Sequence, residues 1–181
     1  MAAIDIIRAG PYVRDKAKTV LRDGLDAVIT TVNGESSIDG FDAPSPVDEA
    51  IYSSDWRISP QHDAFVHLKC RMEEEFVNLN IGVSKAAFKL TLRCGHRQQV
   101  LNTDDNADAP TIEDAGWTRA QMLTRAVYHV VLRDLRKETG IYDAELAGEV
   151  EEVPDDVRAP GVFAYDLTVR VFCKIRHGAL T

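Results

Sequence analysis

Three cysteines in 181 residues, Cys70, Cys94 and Cys173, are too few to staple a fold with disulfides. Each lies among apolar neighbours in an alternating segment, which suits small buried hydrophobes in a reducing compartment. Long apolar runs are missing too. Nothing approaches the roughly 18 residues of a membrane span. The opening MAAIDIIRAGPYVRD carries Asp5 where a secretory leader needs a basic start and an apolar run. A cytoplasmic protein, or one assembled in the cytoplasm, with no membrane partner is expected. Basic charge is in deficit, with Lys+Arg 21 against Asp+Glu 29 and a net charge of −8. That excludes the broad positive footprint of a dedicated nucleic-acid binder, so any such contact is local or indirect. Familiar chemistry is absent as well: no G-x-S-x-G nucleophile elbow, P-loop, G-x-G-x-x-G or C-x-x-C occurs. No cofactor is expected.

What is present is alternation. From Val162 to Arg176, Phe163, Tyr165, Leu167, Val169, Val171, Cys173 and Ile175 alternate with Ala164, Asp166, Thr168, Arg170, Phe172, Lys174 and Arg176, the signature of a long half-buried strand. Three shorter alternating runs precede it, over 66–72, 77–83 and 88–94. Two stretches have helical spacing instead. Val13, Ala17, Val20, Leu21, Leu25 and Val28 mark a helix over 11–33, with Pro11 as its first residue and Asn33-Gly34 as its stop. Met122, Leu123, Ala126, Val127, Val130, Val131 and Leu135 mark a second over 118–139, opened by a capping box at Thr118 and Gln121 and stopped by Gly140.

These elements predict one α+β domain over 1–181: a mostly antiparallel sheet of three to four strands with two amphipathic helices on one face, in the order α-β-β-(β)-α-β. An N-terminal arm over 1–10 and long loops over 34–63, 102–116 and 141–160 complete it. The first loop has room for one short strand. The segment Asp143 to Asp156 holds seven acidic residues and no basic one, which reads as a solvated loop.

Candidate sites are few. Asp104, Asn106 and Asp108 are spaced like the start of a calcium loop, but Ala109 and Ala115 stand where such a loop needs glycine and glutamate. Cys94, His96, His67, Cys70 and Cys173 are the only soft-ligand set, and they lack the paired spacing of a structural zinc site. His62, Asp63 and His67 would be the first residues of an unrecognised acid–base site. The alternation also puts His67, Lys69, Arg71, Lys89, Arg93, Arg170, Lys174 and Arg176 opposite the core positions, with Phe172 among them. The result is a basic sheet face on an acidic protein. Such a face is either solvated and balanced by the acidic loops, or it docks an acidic neighbour, with Lys69, Arg71, Lys89, Arg93, Arg170, Phe172 and Lys174 as the interface.

In element order and size, residues 11–33, 64–95, 118–139 and 161–176 resemble the tail terminator and related neck (head–tail connector) proteins of tailed bacteriophages and tailed archaeal viruses. That resemblance implies a non-enzymatic virion component, typically a sixfold ring of identical subunits. The ring would terminate the tail tube and join it to the head connector, with DNA passing through its lumen without sequence readout. It carries no active-site residues. A small α+β binding module, or a small enzyme built on His62, Asp63 and His67, is the alternative for the same fold class.

Overall fold

Side-chain alternation in three strands of 13 to 15 residues sets the frame on which everything else hangs. In the computed structural model the described residues are 3–35, 42–53, 62–76, 83–97 and 112–176. In chain order the elements are β1 (Ile4–Asp5), α1 (Ile6–Glu35), a 3-10 turn (Asp48–Ala50), β2 (Ile51–Tyr52), β3 (Ala64–Phe76), β4 (Val83–Arg97), α2 (Ile112–Asp134), a 3-10 turn (Leu135–Lys137), β5 (Ile141–Leu146), β6 (Glu151–Glu152) and β7 (Val162–Arg176). The α+β class and the two helices on one face are as expected.

The sheet is larger and more mixed than the sequence predicts. Among the described residues it has seven strands in place of three to four. Its centre is β3, β4 and β7, antiparallel, with β4 pairing β7 over its whole length from Val83↔Arg176 to Arg97↔Val162. β2 adds to β3 in parallel, and β1 adds to β7 in parallel. The free edge of β7 is then filled in succession by β6 opposite Tyr165–Asp166, β5 opposite Val169–Cys173 and β1 opposite Ile175–Arg176. An unpaired edge fifteen residues long would be a template for aggregation, and these short strands cover it.

This pairing corrects the expected loop over 141–160. Ile141, Ala144 and Val153 are buried while the carboxylates between them point outward, so a segment rich in Asp and Glu still offers β7 enough apolar contact to pair. The loop over 34–63 likewise contains a turn and β2. Its residues Ala43 and Asp48 are tied to α1: Asn33 exchanges two hydrogen bonds with the Ala43 backbone (2.7 and 3.3 Å), and Arg22 donates to the Asp48 carbonyl. The expected strand over 77–83 falls outside the described residues except for Val83, and so do Asp104, Asn106 and Asp108.

Both helices start earlier than expected. α1 begins at Ile6, inside the supposed arm, because Asp5 caps it by accepting a hydrogen bond from the Ile7 N–H at 2.9 Å. Pro11 then sits within the second turn. The carbonyl it leaves without a helical donor belongs to Ile7, an exposed residue. α2 begins at Ile112, six residues before the expected Thr118 cap, and runs through Gly116. That glycine is a packing residue: a Cβ there would lie 2.2 Å from the Phe163 ring of β7.

One large core lies between the helices and the sheet. Val13, Ala17, Leu21, Leu25 and Ile29 of α1 and Leu123, Val127, Val130 and Val131 of α2 meet Leu68, Phe88, Leu90, Leu92, Leu167, Val169 and Val171. Each of these strand residues is at most 1% exposed, worth about 1.5–3 kcal/mol of transfer free energy per side chain. Among the described residues no helix is long and apolar enough to cross a membrane.

Candidate functional site

The opposite face of the sheet carries no helix among the described residues, and strand register decides what it presents. At one end Ala50, Phe65, Val153, Val162 and Ala164 form a second, small apolar cluster. Phe65 lies flat across the strand beside it, where Gly95 has no side chain to obstruct the ring. His67 belongs to this end. It is 2% exposed, with its ring centroid 4.2 Å from that of Tyr52 and 4.9 Å from that of Phe65. Burial and the nearby Arg93 charge hold its pKa down at about 4, so it is a neutral ring at pH 7. The expectation that His67 joins a basic surface is therefore wrong. β2, which adds Tyr52 beside it, is the reason.

Beyond that cluster the face becomes charged in rows that run straight across the strands. Arg93 opposes Asp166, Lys69 opposes Thr91 and Thr91 opposes Thr168, while Arg71 opposes Lys89 and Lys89 opposes Arg170. Phe172 opposes Ala87 and Lys174 opposes Lys85. All seven expected interface residues thus share one face. Lys69, Arg71, Lys89 and Arg93, with Thr91 and Asp166, line a depression of about 350 Å³.

The other three form a separate group. The Arg170 guanidinium bridges Glu73 and Glu74, each at 3.0 Å, and sits 5.5 Å from the Phe172 ring. Phe172 also lies 6.0 Å from Tyr142, over which Lys85 is placed at 5.4 Å. Lys174 is one row further toward the strand end.

Sequence reasoning missed the internal anions of this face. Asp166 holds Arg93 in a two-pronged bridge, both contacts at 2.8 Å, and it stood in the polar half of the β7 alternation where it was readable. Glu73 and Glu74 reach Arg170 because register shifts between Met72 and Glu74, a bulge that no spacing rule reveals. The basic face is partly neutralised by its own chain, and the cations left without a carboxylate among the described residues include Lys69, Arg71 and Lys89.

The remaining candidates are separated by the same alternation. Cys70, Cys94 and Cys173 face the helices and are free thiols, whereas His67 faces the other way. Burial pushes the Cys70 and Cys173 thiols up to about 12 and Cys94 higher still, which leaves them as inert packing groups. His96 lies on the helix side and is buried. His62 and Asp63 form a bend before β3, where the Asp63 carbonyl accepts the Arg97 N–H at 2.6 Å. Among the described residues no three His, Cys, Asp or Glu side chains gather as a metal site.

No family model matches the chain, and neither does any curated protein. Among solved structures, one described as "Virion of native gene transfer agent (GTA) particle" is similar at 14% identity, over 85% of this chain and 94% of that chain, with a TM-score of 0.44. A likeness at that level assigns neither a family nor a function.

Proposed function

We propose that this protein is a structural subunit of a phage-like virion. Copies of it form a closed ring at the head–tail junction, ending the tail tube and seating it on the head connector. The observation that carries this reading is the open sheet face: helices cover one side of three long strands, and the other side presents cations and the ring of Phe172 without a covering element among the described residues. A face of this kind in a chain of net charge −8 is built to meet something acidic.

The element order found in the structure, helix, long antiparallel strands, helix, long final strand, keeps the resemblance to neck proteins. The activity is assembly rather than catalysis. A net negative charge on every subunit also suits a lumen through which DNA slides without adhering, since the phosphate backbone and the wall repel. A virion location, sixfold closure, and the tail-tube and connector partners belong to the same reading.

Negative-stain imaging of the purified protein at high concentration and low salt tests it. Closed rings of uniform diameter, alone or on the ends of tubes, are the expected result. A field of single small particles under all conditions, with and without a tail-tube protein, would overturn it.

A further inference from the structure

One row of the open face is electrostatically unfavourable by itself. Arg71 lies directly opposite Lys89, and Lys89 directly opposite Arg170, so three cations stand abreast across three strands. Like charges in directly opposed positions destabilise a sheet. Arg170 is relieved by Glu73 and Glu74, and Arg93 in a nearby row by Asp166. Lys69, Arg71 and Lys89, bordering the depression of about 350 Å³, have no carboxylate among the described residues. The chain has neutralised Arg93 and Arg170 and left this group for an anion from outside.

The converse exists on the far edge of the sheet. In the β5–β6 segment, Asp143 is held by Arg136, Asp155 by Arg158, and Glu152 accepts a hydrogen bond from the Tyr165 hydroxyl. Glu145, Glu149, Glu151 and Asp156 are exposed and carry no ion pair among the described residues. Leu146 and Val150, 42% and 43% exposed, lie on the helix side, where Leu146 opposes Val169 and both border a groove with Met122 and Tyr128 of α2.

We propose that the 145–156 ridge of a second copy of this chain docks against the Lys69–Arg71–Lys89 depression, placing its unpaired carboxylates on the three cations. This deepens the assembly reading and rests on it. The two patches differ: the cations stand on β3 and β4, while Glu145 opposes Arg170 and Glu151 opposes Asp166 on the far side of β7. Used in one direction from copy to copy, a contact between them is head-to-tail, the kind that repeats around a ring. Charge complementarity selects the occupant: the ridge offers carboxylates that carry no ion pair among the described residues to cations that carry none there either.

Lys89→Glu tests the proposal. In the single subunit it converts the row to Arg71, Glu, Arg170, so the melting temperature stays level or rises. Self-association by light scattering at low salt should need about tenfold more protein. Glu151→Lys, on the other partner surface, should weaken association similarly, and the chain carrying both changes should regain most of it. If Lys89→Glu instead lowers the melting temperature, the comparison passes to Glu151→Lys, whose loss of association supports the docking.

Association of both single variants at the wild-type concentration overturns the docking while leaving the ring reading intact. A wild-type chain that never associates overturns both. Binding of a short duplex DNA that Lys89→Glu abolishes, with self-association unchanged, makes nucleic acid the occupant and overturns the proposal as well.

Discussion

Replacing Gly95 by alanine probes the end of the open face that the small apolar cluster closes. The new Cβ would stand 2.2, 2.6 and 2.9 Å from three atoms of the Phe65 ring, closer than carbon atoms approach without displacement. Phe65 is 2% exposed, packed in the cluster with Ala50, Val162 and Ala164 and with the His67 ring centroid 4.9 Å away, so it has no free direction of retreat. Overpacking of this sort costs about 1–3 kcal/mol. Alanine in a strand interior recovers about 0.5–1 kcal/mol relative to glycine. The net loss is then about 0.5–2 kcal/mol, and for a domain of this size each kcal/mol lowers the melting temperature by about 2–4 °C.

Phe65→Ala alone should cost about 3–5 kcal/mol. In the double variant the alanine methyl enters space the ring has vacated, so there the second change returns the strand gain of about 0.5–1 kcal/mol, and the coupling is about 1–3 kcal/mol. Thermal and urea unfolding of the four proteins, followed by circular dichroism, measures it. A Gly95→Ala protein as stable as wild type, or effects that add within about 0.5 kcal/mol, would refute the placement of Phe65 across Gly95.

Two helical glycines should respond with opposite signs. Gly116→Ala drives a methyl into the Phe163 ring and destabilises by about 1–2 kcal/mol. Gly34→Ala, in the last turn of α1, meets nothing within 4 Å and stabilises by less than about 1 kcal/mol, both read from urea midpoints. For His67, with its folded pKa near 4 and an ordinary value of 6.5, the unfolded chain binds the proton first, so stability falls as pH drops from about 6.5 toward 4. His67→Phe should flatten that part of the urea-midpoint profile, and an unchanged slope would mean that the ring is not buried and neutral. The three thiols should resist a disulfide reagent at pH 8 in the native protein and all react in urea, and rapid native reaction of Cys94 or Cys173 would contradict their burial beneath the helices.

The alternation of β7 was legible from Leu167 onward, because a half-buried strand must place every second side chain in the core, and Leu167 through Ile175 do so without exception, whereas Tyr165 is only half-buried. The helix pair and its apolar stripes were legible for the same reason with a different period. β5 and β6 were not, since their attachment comes from the open edge of β7 and only Ile141, Ala144 and Val153 mark it among the carboxylates. The true start of α2 was hidden by Gly116, which reads as a loop residue until Phe163 is seen against it. The basic face was legible as a list of residues but not as a charge distribution. Pairing of Arg93 with Asp166 depends on cross-strand register, pairing of Arg170 with Glu73 and Glu74 on a bulge, and removal of His67 from the surface on the two-residue strand β2.

Sedimentation of the wild-type protein over a range of concentration and salt addresses the central claim, self-assembly into a closed ring, most directly. The prediction is one discrete species at a whole-number multiple of 20.1 kDa, favoured by concentration and dissolved by salt as the charged contact is screened. A single species of 20.1 kDa at every concentration and salt, or an open-ended series of sizes with no preferred multiple, would contradict it.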